Sequence, residues 1–435
     1  MGKTSNSAMA TILGGASRRR TLRPSLGFGL AGVAAIIGLA GCGGTASSPT
    51  GPSAPPSVSA SAISSPTSKP SATPALSPTP AQPLTFVPTG SMHTAREDAT
   101  ATLLKNGKVL IAGGDDVFDV DKNFYASAEI YDPATGKFTK TGSMTAARAQ
   151  ATAVLLSDGR VLIAGGSGCA DPKHCTNVRG SDSLTSAEIY DPVTGKFTRT
   201  GSMTSVTNNP AAVLLPDGKV LIAAFEPGVE LYDPATGRFT ELGKGGPTSP
   251  PNTATLLPNG KVLVITGDGP PQLYDEASGK LASISPALPP GAPSSTSTCW
   301  LYGQEDAHTA TPLPDGRVLL FESGHLETLD PATGFCVDAG FVTTGGQWIY
   351  PRATLLPDGR VLFEGGELVP DQFSGGVSTT TAVLYDPATR QVSTGSMHMA
   401  RGGQTATLLA DGSVLIAGGY DVNYEPLGSA ELFKP

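Results

Sequence analysis

Three arginines stand in nearly the same words: Arg96 ends "SMHTAR", Arg148 ends "SMTAAR" and Arg401 ends "SMHMAR". A guanidinium is a planar fork of donors that matches a carboxylate. The three would either recognise acidic groups of a ligand or hold acids of neighbouring loops, such as Asp115, Asp116 and Glu367. The aligned positions elsewhere are Thr207, Ser249, Glu305 and Trp348, with Asp306, His308 and Tyr350 close by. An arginine side thus faces an acid, imidazole and aromatic side. Catalytic sets are harder to assemble. Glu305 and Asp306 are adjacent, so on a strand they point to opposite faces and cannot flank a glycosidic bond. Asp119, Asp121 and Asn123 alternate like the start of a calcium loop, but Phe124 stands where that loop needs Gly. Cys169 and Cys175 with His174 fall short of a zinc set. His93 and His398 share one "GSMH" slot, which marks a repeat position. No catalytic residue, metal or cofactor is expected.

The elements that must position these groups are repeated. "DPATGKFTKTGSM" (residues 132–144) returns as "DPVTGKFTRTGSM" (191–203) and is echoed at residues 233 and 386. A second landmark, "DGRVLIAGG" at residue 158, has relatives at residues 106, 217, 259, 315, 358 and 411. Asn-Gly or Asp-Gly between apolar runs is a hairpin signal, and a type I′ turn with positive φ at both central residues is expected. Each unit reads as four strands: a small apolar one ("ATATLL"), the "VLIAGG" run, "AEIYDP", and "KFTKTG". "DPATG" is the turn between the last two, with Asp opening it, Pro presetting φ and Gly taking the left-handed slot. Ala and Thr suit innermost strands, where blades crowd towards one axis. The landmark glycines lie 42 to 59 residues apart, near the ~50-residue period of kelch blades.

The pattern resembles the kelch family: an apolar run ending in Gly-Gly, then a Tyr and, seven positions on, an aromatic. Tyr131 and Phe138, Tyr190 and Phe197, and Tyr232 and Phe239 carry it, whereas Leu329 and Cys336 replace the pair in the fifth unit. The resemblance implies an all-β, seven-bladed β-propeller of four-stranded antiparallel blades over residues 86–435. The chain ends on strand 3 of the seventh unit. "FVPTGSM" (residues 86–92) matches "FTKTGSM" (138–144), so the N-terminal strand 86–92 is expected to complete the last blade and close the ring. In such propellers the Arg96 position points to the mouth of the central channel. Arg96, Arg148, Arg401, Glu305, His308, Trp348 and Tyr350 are therefore the ligand-binding candidates. Galactose and glyoxal oxidases use a similar propeller to hold copper, but Tyr350 is followed by Pro351, not by a ligand histidine. A degenerate copper oxidase is the alternative to a binding module.

Residues 1–41 resemble a lipoprotein signal. Arg18–Arg23 precede an apolar stretch that is short for a membrane span, and Leu39-Ala40-Gly41-Cys42 resembles a lipobox with Cys42 lipidated. "SRRRTLR" also resembles a twin-arginine signal. Residues 42–85 form a Ser/Thr/Pro/Ala-rich linker too poor in apolar side chains to fold, expected to be an extended stalk. The expected location is the outer face of the cell envelope, held by the lipid alone. There the cysteines other than Cys42 pair as Cys169–Cys175 and Cys299–Cys336. Removing the five positive charges of residues 1–41 takes the net charge from −8 to −13. Such a surface repels nucleic acid. A monomer with a protein or glycan partner is expected.

Overall fold

The computed structural model describes residues 83–116, 123–171, 182–204, 209–224, 229–242, 251–266, 271–284, 309–370 and 375–435. Among them every regular element is a strand. In the first blade Thr100–Leu103 lies innermost, followed outward by Val109–Ala112, Ala128–Asp132 and Lys137–Lys140, all antiparallel. The other inner strands are Thr152–Leu155, Ala211–Leu214, Pro251–Leu256, Thr309–Pro312, Arg352–Leu355 and Thr405–Leu408. Each neighbours the next and the last neighbours the first, so seven blades surround a channel.

Val109–Ala112, Val161–Ala164 and Val220–Ala223 are buried at every residue, because a blade is covered on both faces by its neighbours. The two-residue period divides the work. Leu110 and Ala112 pack with Val161, Ile163 and Tyr190 of the second blade, while Val109 and Ile111 pack with Leu415 and Ala417 of the seventh. Each cluster is shared between blades, so no blade buries its core alone. Tyr131 and Phe138 are directly opposed across strands, with ring centroids 4.8 Å apart. Cys336 takes the same slot opposite Leu329.

The Asn-Gly turns differ from the type I′ expectation. Gly107 has φ of 79°, but Asn106 is not left-handed, and Gly107 N–H donates to Leu104 O. The hairpin is a three-residue loop in which a type I turn is followed by a left-handed Gly. The "DPATG" turn is built as expected: Gly136 N–H donates to Asp132 O, and the Asp132 carboxylate accepts Ala134 N–H. The repeated words also interlock. Gly90, Gly142 and Gly201 donate their N–H to Gly136, Gly195 and Gly237, each on the following blade. A Cβ on Gly90 would lie 2.2 Å from Gly136 O, so only Gly permits this approach. Thr89, Thr141 and Thr200 add hydroxyl bonds to Tyr131, Tyr190 and Tyr232.

In the last blade Ala430–Lys434 pairs with Thr85–Pro88, with Phe86 opposite Phe433. Phe86 and Phe433, 5.4 Å apart, take the place of the Tyr131–Phe138 pair. The regular strand is shorter than residues 86–92: beyond Pro88 the Thr89 and Met92 N–H groups still bond Ala430 and Gly428 of the last blade, while Gly90 N–H turns to Gly136 of the first.

Candidate functional site

Strands alternate in direction, so the loops after "VLIAGG" and the connections into each inner strand share one face. Arg96, Arg148 and Arg401 lie in those connections, yet each is only 1% exposed. Arg148 Nη1 donates to Gly165 O at 2.7 Å and Ser186 O at 2.8 Å; Nη2 reaches Ser186 Oγ at 2.9 Å and Glu188 Oε1 at 3.4 Å. Arg401 repeats this with Gly418, Ser429 and Glu431, and Arg96 with Gly113, Ser127 and Glu129. The glutamates are themselves held by the chain arriving from the preceding blade. Glu129 accepts His93 N–H and Thr94 N–H, Glu188 accepts Thr145 N–H and Ala146 N–H, and Glu431 accepts His398 N–H. Burial lowers the pKa of all three guanidinium groups, and the glutamate charge opposes that fall. Burial also pushes the Glu129 carboxyl up, but hydrogen bonds from His93 and Thr94 and the Arg96 charge hold it below the usual range.

These arginines are latches that tie the connection arriving from the preceding blade to the blade it enters, and they are turned away from solvent. Their partners are Glu129, Glu188 and Glu431 rather than Asp115, Asp116 and Glu367. Trp348 is withdrawn from the ligand face for the same reason. Wholly buried, it donates its indole N–H to Gly365 O at 2.6 Å, the bond Arg148 makes to Gly165. Val383 stands where five of the other blades have a glutamate and the fourth has Gln272, and Trp348 packs edge-on against Phe321. Of the other candidates only Tyr350 is at the surface, 48% exposed, with φ of 56°. Glu305 and His308 lie outside the described residues, as do Asp119, Asp121, Cys42, Cys175 and Cys299. Cys169 ends the short strand Ser167–Cys169, and Cys336 is buried.

What the sequence reading missed stands two residues beyond each latch. Asp98, Gln150 and Asn209 have φ of 51°, 52° and 56°, and Tyr350 and Gly403 share that conformation. Asp98 N–H donates to Gly403 O, Gln150 N–H to Asp98 O, and Asn209 N–H to Gln150 O, forming a hydrogen-bonded arc around the channel mouth. The arc borders a cavity of about 220 Å³ lined by Asp98, Gln150, Asn209, Arg352 and Thr405, with alanines between them. A fixed spacing from the latch was the signal that could have found it. A larger hollow of about 310 Å³ lies on the opposite, turn-bearing face. Its cations Arg160 and Lys219 are each paired with Asp158 and Asp217 of their own turns, so it reads as scaffold.

Behind the cavity, between the sixth and seventh blades, Glu364 and Gln404 are fully buried. Gln404 Nε2 donates to Glu364 Oε2 at 2.9 Å and to Glu364 O at 2.8 Å. Burial raises the Glu364 carboxyl to about 8. Arg352, directly across the strand pair from Glu364, turns its Nε to Gln404 O.

The kelch motif family matches residues 100–145, which span the first blade. The fold is a seven-bladed β-propeller, and a kelch motif matches its first blade. It is similar to a novel fungal alcohol oxidase of the AA5 family in complex with copper, with a TM-score of 0.60 and 16% identity over 81% of this chain and 77% of that one. A streptogramin B lyase gives a TM-score of 0.54 and 11% identity over 81% of this chain and 98% of the other. At such identities the likeness is one of fold. No curated protein matches the sequence. Among the described residues no three His, Cys, Asp or Glu side chains converge as metal ligands. The described histidines each lie against a carboxylate, His93 on Glu129, His325 near Asp338 and His398 on Glu431.

Proposed function

We propose that the protein is a surface-anchored, non-catalytic binding module, lipidated at Cys42, whose partner is a protein segment or a glycan seated at the channel mouth. One observation carries this reading. Four accessible polar groups of the described loop face, Asp98, Gln150, Asn209 and Arg352, converge on one cavity, while the latch arginines are spent on internal bonds. Tyr350 supports it: a bulky side chain held left-handed and exposed is strain of the kind that collects at binding sites.

The full chain, displayed on bacterial cells, is tested against an array of glycans and peptides. Wild type should retain some array members that Asn209→Ala and Tyr350→Ala lose, and Cys42→Ala should shed the protein into the medium. Array binding indifferent to both site substitutions would overturn the site. Copper-dependent peroxide release from sugars or aldehydes would overturn the non-catalytic assignment.

A further inference from the structure

Two opposite charges line the channel-mouth cavity, and neither has an ion-pair partner among the described residues. Arg352 spends only its Nε, on Gln404 O at 2.8 Å. Asp98 accepts one hydrogen bond, from Gln150 Nε2 at 2.9 Å. The acid across the strand pair from Arg352 is Glu364, which is bonded instead by Gln404 Nε2; burial raises its carboxyl against the pull of that bond and of the neighbouring guanidiniums, so it compensates Arg352 only weakly at neutral pH. The guanidinium charge is therefore left largely uncompensated at the cavity wall.

Size narrows the choice further. Ala99, Ala101, Ala151 and Ala406 line the cavity, whose volume is about 220 Å³; pockets for drug-sized ligands begin near ~300 Å³. An anion small enough to enter would satisfy Arg352 but meet the carboxylate of Asp98, and a cation would meet the reverse conflict. A neutral group would desolvate two charges without matching either. A ligand carrying both signs a few bonds apart satisfies both walls, and Asn209 and Thr405 offer it hydrogen bonds.

We propose that the channel mouth binds a zwitterionic α-amino-acid group, its ammonium towards Asp98 and its carboxylate towards Arg352. The group is either a free amino acid or the end of a side chain on a larger polymer. This rests on the binding reading above and names the chemistry of that site.

Calorimetry on the full chain tests it. Alanine should bind, and N-acetyl-alanine and alanine amide, each lacking one charge, should bind at least tenfold more weakly. Arg352→Gln and Asp98→Asn should each weaken alanine at least tenfold, with thermal unfolding showing that the variants fold. Nε-acetyl-lysine binding as well as alanine would mean that a polymer-borne group is accepted; alanine alone would mean a free amino acid. Both results support the zwitterion. Absence of alanine and Nε-acetyl-lysine binding, or binding undiminished by blocking either charge, would overturn it. The blocked ligands use wild-type protein, so the result does not depend on a variant folding. If array members bind the mouth while neither alanine nor Nε-acetyl-lysine does, the zwitterion falls and the binding module stands; if nothing binds, both fall.

Discussion

Glu364 shows what burial does to a single carboxyl. Its environment comprises Arg352 and Arg401, which favour the charged form, and Glu431, which disfavours it, but desolvation outweighs them and sets the value at about 8. The folded-state value lies above the ~4.3 of an unfolded glutamate. The protonated carboxyl therefore contributes stability fully below about pH 4, and that contribution is lost as pH rises through about 8. Glu364→Gln keeps the shape and the neutrality at every pH. Thermal unfolding should find the variant close to wild type at pH 5 and more stable at pH 9, by on the order of 3–5 kcal/mol. Equal stability differences at both pH values would mean that the carboxyl is already ionised in the fold.

At the scale of the element, the latch couples the incoming connection to strand 3 of the blade it enters. Arg148→Met removes the cation and leaves Glu188 buried with only backbone donors. Breaking one side of a buried pair costs about 3–5 kcal/mol, which urea denaturation would measure. The sixth blade supplies its own remedy, Trp348 with Val383. Arg148→Trp combined with Glu188→Val should recover most of that loss; a double variant as unstable as the single would show that the sixth blade depends on Phe321 or other local packing. The blades were legible in the sequence because turn chemistry and a two-residue apolar period recur seven times. The latch was not. Glu129 and Glu188 sit inside strand words where an alternating polar residue normally faces water, and nothing local shows that the connection from the preceding blade covers that face. The arginines were visible, but a spacing cannot say whether a guanidinium points inward or outward. Asp98, Gln150 and Asn209 escaped for another reason: three different residue types share only a backbone conformation.

For the whole molecule, cores shared between neighbours make each blade depend on two others, and the last on residues from the start of the chain. Removing residues 83–92 would strip Phe86 from Phe433 and Met92 from its cluster with Val109 and Ile111. It would also expose the edge of Ala430–Lys434 to pairing with another chain. The truncated protein should unfold at least 10 °C lower and form dimers or larger species by light scattering. A monomer of unchanged midpoint would show that the terminal pairing contributes little.

That same pairing fixes where mechanical load enters. Thr85 lies opposite Lys434 and Pro88 opposite Glu431, so tension from the residues before 83 reaches the Thr85 pair first and passes along four residue pairs to the rest of the molecule. The other six blades are continuous polypeptide and share that load covalently. Under pull the seam is the fuse, and its opening draws Phe86 out of the core it shares with Leu384 and Phe433.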